Sequence, residues 1–217
     1  MAGAILARMT STHDPLAAVR PSDAFSQSYA EARAKFRSVA AAAGATLTEH
    51  AHPLKGPSGE DLACDVARFG PMDAEAVLWI NSATHGVEGF CGSGVQIGMM
   101  ARGWHRRRPA NVALLLTHAI NPHGFAWIRR VTEDNVDLNR NFGPAGVPPP
   151  VNAAYAEIHP WVIPQDIDGP ARAAADAALE RFRLQHGDRA FHQAMAGGQY
   201  AFPDGVFYGG SRQNHAD

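Results

Sequence analysis

Residues 76–88 read AVLWINSATHGVE, and this stretch decides the fold that the sequence predicts. Its first part, Ala76–Ile80, is short and continuously apolar, which is typical of a strand buried on both faces of a sheet. Gly89–Met100 is rich in small residues and predicts a helix, and Val112–Leu116 predicts a second buried strand. A strand, a helix and a strand in succession indicate parallel strands joined by a crossover. The predicted fold class is therefore α/β, a three-layer αβα arrangement around a mainly parallel mixed sheet.

The flanking sequence predicts more helices and one more strand. Phe25, Tyr29, Ala32 and Phe36 recur at helical spacing, so we expect a helix over 22–43. We also expect a strand over 61–69, which follows a turn-rich segment, helices over 168–186 and 189–196, and an ordered loop over 197–217.

Length and composition favour one globular domain. The chain has 217 residues, of which 46% are hydrophobic, so a buried core is expected. Thr10–Pro21 is largely polar and contains proline. We therefore expect residues 1–21 to be a disordered leader and residues 22–217 to form the N-terminal part of a single domain.

Charge and cysteine content exclude several classes of partner. The formal net charge is −2, and the short basic run Arg106–Arg108 is expected to be a solvated helix end. We expect no nucleic-acid partner and, because no apolar run is long enough to span a bilayer, no membrane partner. Cys64 and Cys91 form no cysteine motif and are interpreted as reduced thiols of a cytoplasmic protein.

An imidazole and a carboxylate follow the first predicted strand. His85 and Glu88 stand three residues apart around Gly86, at the carboxyl end of that strand, where open α/β sheets bind ligands. A histidine and a glutamate suit zinc as ligands. The spacing alone is weak, because His85 could instead cap the next helix with Glu88 in its first turn.

A second polar segment follows the second predicted strand. Residues 121–142 read NPHGFAWIRRVTEDNVDLNRNF and place Arg130 and Arg140 on an irregular stretch at the same sheet edge. A planar guanidinium there could grip a carboxylate or polarise a carbonyl. For either arginine alone, a surface salt bridge is the alternative interpretation.

Together these motifs resemble, in order and spacing, the signature of M14-type zinc metallocarboxypeptidases. The resemblance rests on HGVE at 85–88, NPHG at 121–124, Arg130, and VDLNRNF at 136–142. The wider wording, including THGVEGF at 84–90, is similar to the M14-like group DUF2817. The likeness runs from about Phe25 to the end of the sequence.

The resemblance implies a role for each matching residue. His85 and Glu88 would ligate one zinc ion, and Arg130 would polarise the scissile carbonyl and stabilise its oxyanion. Asn139 and Arg140 would hold the terminal carboxylate of a small peptide or acylated amino acid. Asp137 would accept a hydrogen bond from His85 and fix its tautomer. The implied reaction is zinc-assisted hydrolysis of an amide beside a free carboxylate.

The pattern lacks two parts that the family needs, a third zinc ligand from a later strand and a general-base glutamate. We therefore expect the domain to be incomplete at its C-terminus, with an open sheet edge and an uncovered face. The substitutes for the third ligand within the chain are His118, His123, His159, His186, His192 and His215.

Three other functions are considered as alternatives to this hydrolase. The first is an N-acyl amino acid deacylase of the succinylglutamate desuccinylase and aspartoacylase type, which shares the His-x-x-Glu and Asn-Arg motifs. A binding module that keeps the arginines but lacks a complete metal centre is the non-enzymatic alternative. A serine hydrolase is disfavoured because Ser93 does not lie in a Gly-x-Ser-x-Gly elbow.

Overall fold

The computed structural model describes residues 20–143 and 146–212. The chain divides into two compact units, which we call the N-terminal unit, Met1–Arg130 with Ala216–Asp217, and the C-terminal unit, Val131–His215. Each unit has a hydrophobic core of its own. The predicted leader falls outside the described residues except for its last two, and Pro21 already begins a 3-10 helix. One domain over residues 22–217 stays a prediction.

Among its described residues, the N-terminal unit has a four-stranded sheet and three α-helices. In chain order its elements are α1 (Tyr29–Ala42), β1 (Thr46–Lys55), β2 (Asp61–Phe69), β3 (Ala76–Asn81), α2 (Gly89–Ala101), β4 (Val112–His118) and α3 (Pro122–Ala126), with 3-10 helices at Pro21–Ala24 and Trp104–Arg107. The strand order is β1-β2-β4-β3. The pair β3 and β4 is parallel, as the strand-helix-strand pattern predicts. The β1–β2 and β2–β4 pairs are antiparallel.

The predicted α/β class with a mixed sheet is confirmed. One of the three strand pairs in the described sheet is parallel, and it is the pair that the sequence argument concerned. Apolar side chains of α1 and α2 pack against the sheet, most of them in one large buried cluster. Its members include Phe36 and Val39 of α1, Ile97 of α2, Phe69 of β2 and Leu116 of β4.

The prediction that Ala76–Ile80 is buried on both faces is wrong. Val77, Leu78 and Trp79 are 51%, 55% and 60% exposed. The reason is position, because β3 lies at the edge of the described sheet and pairs with β4 alone. Strand β3 has the uncharged, apolar composition of a central strand, although it lies at the edge of the described sheet. The expected open edge is thus present in the described sheet.

Helix α1 is shorter at its start than the predicted helix over 22–43. Ser28 ends the preceding segment, and its hydroxyl accepts a hydrogen bond from the N–H of Glu31 at 3.2 Å. This is an N-cap, which satisfies one backbone donor that the first turn leaves without a helical partner. The helix therefore begins at Tyr29, beyond the 3-10 turn at Pro21–Ala24.

The C-terminal unit is helical. Its elements are a 3-10 turn at Leu138–Arg140 and helices α4 (Ala153–Val162), α5 (Pro170–His186) and α6 (Asp188–Ala196). Tyr155, Ile158, Phe182 and Ala194 form its buried core. The predicted helices over 168–186 and 189–196 are confirmed as α5 and α6. Within the described residues, no helix is both long enough and apolar enough to cross a membrane.

Candidate functional site

The loops that follow β3 and β4 run side by side at the carboxyl ends of these parallel strands. The N–H of Ser82 donates to the carbonyl of Thr117 at 3.0 Å, the N–H of Ile120 to Ser82 at 3.0 Å, and the N–H of Asn121 to Ala83 at 2.9 Å. The pairing of the two strands thus continues into the loops. The two polar segments singled out in the sequence therefore start from the same sheet edge, as predicted.

His85 and Glu88 come together at this edge. The Nδ1 atom of His85 lies 3.1 Å from both carboxylate oxygens of Glu88. The imidazole is buried, whereas the Glu88 side chain is 67% exposed. A buried imidazole thus stands beside a carboxylate that is accessible to solvent.

Gly86 locks this loop onto the second segment. Its N–H donates to the carbonyl of Arg129 at 3.0 Å. A Cβ atom at position 86 would stand 1.9 Å from the carbonyl oxygen of Gly124, a distance that no side chain tolerates. Glycine is required here because two backbones approach each other directly. The same contact holds His85 and the Arg129 backbone in a defined relation.

The alternative interpretation, in which His85 caps the next helix, does not describe the structure. Glu88, rather than His85, occupies the N-cap position of α2, and the Glu88 side chain makes no cap hydrogen bond. The Glu88 carboxylate instead turns back to His85. The pair is therefore arranged toward each other rather than toward the helix end.

The donor set of the pair fits zinc in part. Imidazole nitrogen and carboxylate oxygen are ordinary zinc ligands at about 2.0–2.2 Å, and two such atoms in tetrahedral arrangement stand about 3.3–3.6 Å apart. The observed separation of 3.1 Å, which is also that of a direct contact between the two side chains, lies just below this range. However, no group of three histidine, cysteine, aspartate or glutamate side chains able to hold a metal occurs among residues 20–143 and 146–212. The described part of the chain thus brings together two side chains of the kinds that bind zinc, without a third.

None of the substitute histidines that the structure describes joins the pair. His118 lies in the core against Ser93 and Phe36, and His123 stacks on Trp127. His159, His186 and His192 belong to the helices of the C-terminal unit. His215 lies outside the described residues.

Ser93 and His118 form a buried pair with no access to solvent. The Nε2 atom of His118 is 2.9 Å from the Ser93 hydroxyl, and both residues are essentially inaccessible. Burial lowers the pKa of His118 to about 4, so this imidazole is neutral at ordinary pH. The pair is therefore part of the buried core of the N-terminal unit.

Arg130 is exposed, and it is the last residue of the continuous part of the N-terminal unit. It follows Arg129, whose N–H donates to Gly124 at 2.8 Å and whose carbonyl accepts from Gly86. The backbone immediately before Arg130 is therefore attached to the loop that carries His85 and Glu88.

Asp137, Asn139 and Arg140 share one tight turn of the C-terminal unit. Asp137 is fully buried and caps the turn, because its Oδ1 atom accepts from the N–H of Asn139 at 3.0 Å. The carbonyl of Asp137 accepts from the N–H of Arg140 at 2.8 Å. The Asp137 carboxylate thus fixes the backbone of the turn that carries the two candidate anchoring side chains, Asn139 and Arg140.

The guanidinium of Arg140 is held by neutral groups. It donates to the carbonyls of Asn139 at 3.3 Å and Ala196 at 3.0 Å, and it lies 5.5 Å from the centre of the Phe207 ring. No carboxylate pairs with Arg140 in the part of the chain that the structure describes. Its charge is therefore oriented but not neutralised by an acidic side chain there.

The chain belongs to the DUF2817 family, described as a protein family of unknown function, whose profile matches residues 25–217. This match confirms the resemblance that the motifs indicate. A search of curated proteins gives no match.

Several solved structures are similar to the chain at low identity. Carboxypeptidase A from Helicoverpa armigera is 17% identical with a TM-score of 0.41, over 66% of this chain and 39% of that one. A zinc-dependent exopeptidase from Parabacteroides distasonis is 13% identical with a TM-score of 0.33, over 76% and 57%. Glutaminyl cyclase from Tannerella forsythia is 15% identical with a TM-score of 0.35, over 68% and 58%. Likeness at this level assigns no reaction, and the chain spans only part of each structure.

Two features of the site escaped the sequence argument. Ile128 has a left-handed backbone, with φ of 53°, and Trp127 beside it is exposed. The available signal was the pair of large apolar residues directly before Arg129 in an otherwise polar, irregular segment. Two large apolar residues in succession are ordinarily predicted to be buried, so the exposure of Trp127 and Ile128 was not expected.

Proposed function

We propose that this chain provides two zinc ligands and the substrate-anchoring residues of a hydrolase of carboxypeptidase type, which cleaves an amide bond beside a free carboxylate. The observation that carries the proposal is the approach of His85 Nδ1 to both Glu88 oxygens at 3.1 Å, at the carboxyl end of a parallel strand. Membership of the DUF2817 family agrees with the motif resemblance on which the roles depend.

His85 and Glu88 would hold one zinc ion, with the third ligand and the general base coming from outside the described residues. When bound, zinc would act as a Lewis acid and lower the pKa of a water molecule toward about 7. The chain's own contribution is to hold a buried imidazole and an exposed carboxylate in one place. Gly86 secures that arrangement through its contact with Gly124 and Arg129.

Arg130 would stabilise the oxyanion that develops on the scissile carbonyl. A guanidinium that is already in position when the charge develops lowers the barrier without reorganisation. Arg130 suits this role because it is exposed and its preceding backbone is attached to the His85 loop.

Arg140 and Asn139 would bind the free carboxylate of the substrate. The planar fork of an arginine matches a carboxylate in two parallel hydrogen bonds. The fixed Arg140 guanidinium, held by carbonyls and an aromatic ring, supports this role. Asp137 would orient His85 by accepting its second N–H, in addition to capping the turn that carries Asn139.

The substrate would be a small peptide or an acylated amino acid, and the reaction would take place in the cytoplasm. Both Cys64 and Cys91 are free thiols in the structure, as a reducing compartment requires. We expect neither nucleic acid nor membrane as a partner, given the near-neutral charge balance.

The first experiment measures the zinc content and zinc affinity of the purified chain and of His85→Ala. Stoichiometric zinc that is lost in His85→Ala and retained in His50→Ala, a matched change on strand β1, supports the proposed ligand. Equal zinc in all three proteins contradicts His85 as a ligand. No zinc in the unchanged chain means that this chain does not hold a complete zinc site by itself.

Carboxypeptidase and deacylase activities are separated by assaying peptides and N-acyl amino acids side by side. Release of a C-terminal amino acid favours the first function, and release of an acyl group favours the N-acyl amino acid deacylase. Arg130→Ala should lower kcat about 10²-fold or more in either case, because it removes an oxyanion donor.

A second candidate function is a carboxylate-binding module without catalysis. The specific observation in its favour is that the described residues supply no third metal ligand. Binding of a carboxylate peptide that persists in chelator, vanishes in Arg140→Ala and is accompanied by no turnover would favour this function. Arg172→Ala is the matched control, because Arg172 is an exposed arginine paired with Asp176 on helix α5.

A further inference from the structure

Four arginines lie around the amino ends of strands β3 and β4, at the other end of these parallel strands from the candidate site. They are Arg68 near the end of β2, and Arg106, Arg107 and Arg108 in and directly after the 3-10 helix that precedes β4. Within residues 20–143 and 146–212, none of the four forms a salt bridge with a carboxylate. The whole chain has a net charge of −2, so this positive charge is local.

Arg68 and Arg108 are held against one turn, residues 70–72, between β2 and β3. The Nη2 atom of Arg68 donates to the carbonyls of Pro71 at 2.6 Å and Met72 at 3.3 Å. The Cζ atom of Arg108 lies 3.2 Å from the position that a Cβ atom would take on Gly70. The two guanidinium groups therefore lie against consecutive residues of the same turn.

His105 attaches the 3-10 helix that carries Arg106 and Arg107 to the end of β2. Its buried imidazole stacks on Phe69, with ring centroids 4.5 Å apart and 24° between the ring planes. Burial first, and then the charges of Arg106 and Arg108, lower the pKa of His105. The charges of both arginines thus act on a ring that packs against the residue next to Arg68.

The positive charge at this turn is partly withdrawn from water without compensation. The Nε atoms of Arg68 and Arg108 and the Nδ1 atom of His105 are buried, and none has a hydrogen-bond partner in the part of the chain that the structure describes. Burial of a charged group is costly unless an opposite charge lies nearby. An anion on the solvent side of these guanidinium groups would supply that charge.

Exposed apolar side chains flank the arginines. Trp104 is 52% exposed, and the Cζ atom of Arg107 lies 5.4 Å from the centre of its ring. Met72, whose carbonyl accepts from Arg68, is 81% exposed. Aromatic residues, methionine and arginine are enriched at protein interfaces relative to the rest of the surface. A ligand with both carboxylates and apolar groups fits this composition better than a ligand that offers phosphates alone.

Two acidic side chains beside the turn restrict the partner further. Asp73 and Glu75 are exposed directly after it, and the Glu75 carboxylate accepts from the side-chain N–H of Asn111 at 2.8 Å. They would repel a nucleic-acid strand, which carries a charge at every phosphate. A peptide can place its carboxylates away from them, so the surface favours an acidic peptide.

We propose that Arg68, Arg106 and Arg108, together with Trp104 and Met72, form a docking surface for an acidic segment of a partner protein, in which aromatic or aliphatic residues are interspersed. The arginines would pair with its carboxylates, and Trp104 and Met72 would contact its apolar side chains. The proposal does not rest on the proposed hydrolase, because the surface and the candidate site lie at opposite ends of the parallel strands.

The test measures the fluorescence anisotropy of labelled peptides with the unchanged chain. The acidic probe is Glu-Asp-Phe-Glu-Glu-Leu-Asp, and the neutral probe has the matching amides, Gln-Asn-Phe-Gln-Gln-Leu-Asn. Both have a blocked N-terminus and a C-terminal amide, so neither offers the terminal carboxylate that the candidate site requires. The acidic probe should bind at least about tenfold more tightly, and its affinity should fall as salt is added. Equal affinities, or no binding of the acidic probe, overturn the proposal.

Arg106→Glu is the decisive variant, because the Arg106 side chain is exposed and its replacement leaves the turn intact. It should weaken binding of the acidic probe by about threefold or more. Arg108→Gln should weaken it by about tenfold, since it removes a partly buried charge. Arg181→Glu is the matched control, because Arg181 is an exposed arginine on helix α5 of the C-terminal unit. Equal losses in Arg106→Glu and Arg181→Glu would show attraction by overall charge and overturn the proposal.

Oligouridine, a single-stranded RNA, tests the competing class of partner. Binding of oligouridine that is tighter than that of the acidic probe and is lost in Arg106→Glu would assign the surface to nucleic acid and overturn the proposal. Weaker binding of oligouridine supports the acidic peptide. Zinc content and hydrolysis should be the same in Arg106→Glu and the unchanged chain, so these measurements report on the proposed function separately.

Discussion

Strands β3 and β4 have nearly the same sequence character and opposite surroundings. AVLWI in β3 and VALLL in β4 are both short, apolar and uncharged, and they pair in parallel from Ala76 opposite Val112. Leu114 and Leu116 of β4 are buried, whereas Leu78 of β3 is more than half exposed. Strand β4 has a neighbour on each side, and β3 has one neighbour in the described sheet.

The comparison shows that an apolar run predicts a strand, but does not predict whether that strand is central or at the edge of the sheet. Apolar residues on both faces are stabilising only when other elements cover them. At an edge the same residues leave unpaired backbone groups and apolar surface in water. The chemistry at the carboxyl ends of both strands is nevertheless shared, because their loops stay hydrogen-bonded to each other.

Leu116→Ala and Leu78→Ala should differ most in their effect on stability. Leu116 is fully buried in the cluster between the sheet and helices α1 and α2, so its truncation should lower the free energy of unfolding by about 2–5 kcal/mol. Leu78→Ala should lower it by less than about 1 kcal/mol, since half of that side chain is already in water. Urea unfolding of the two variants measures the difference, and equal losses would show that the two strands are covered alike.

Acid should destabilise the fold through His118 at the end of β4. Burial holds the folded pKa near 4, below the ordinary value of 6.5, so the unfolded chain takes up this proton first as the pH falls. The contribution is complete above pH 6.5 and is lost between pH 6.5 and 4, by about 3 kcal/mol in all. Unfolding free energies of the unchanged chain and of His118→Leu over this range give the answer, and parallel pH curves would refute the assignment.

Thr117→Val should break a side-chain hydrogen bond between the two strands. The indole N–H of Trp79 donates to the Thr117 hydroxyl at 2.8 Å, and valine keeps the shape without the acceptor. We expect a loss of about 1 kcal/mol in unfolding free energy. A Trp79→Phe background serves as control, because the second change should then have little further effect in a double-mutant cycle.

Val77→Lys should have the smallest effect on stability and the clearest effect on association. Val77 is half exposed on the edge strand, so the unfolding free energy should change by no more than about 0.5 kcal/mol. A charge on an open edge discourages pairing with other chains. Light scattering at rising concentration should therefore show less self-association than in the unchanged chain, and a monodisperse unchanged chain would argue against a sticky edge.

The local sequence was sufficient to predict several helices and strands correctly, but it did not predict β1 and α4. The predicted strand over 61–69 coincides with β2, and the predicted helix over Gly89–Met100 differs from α2 by one residue. Strand β1 was not predicted, because its residues are mostly polar and exposed and lack an apolar alternation. Helix α4 was hidden by Pro160, which lies inside it.

The candidate site divides in the same way. His85 and Glu88 were identified by their order and position after a strand, and the structure brings them together. The zinc-ligand roles of His85 and Glu88 stay predictions, as do the roles of Arg130, Asn139, Arg140 and Asp137. The exposure of Trp127 and Ile128 was not predicted from the sequence. Ile128 takes the left-handed position that follows helix α3, with the N–H groups of Ile128 and Arg129 donating to Phe125 and Gly124, and isoleucine is an unusual residue at such a helix end.

By itself the sequence determined the α/β class, the parallel β3 and β4 pair and the two polar loops at its edge, because hydrophobic period and turn residues act locally. Only the tertiary structure decided that β3 lies at the described edge and that Gly86 joins the loops. It also decided that no third histidine, cysteine, aspartate or glutamate side chain among the described residues joins His85 and Glu88 in a group able to hold a metal. These properties depend on which distant segments meet, and a linear pattern carries no record of that.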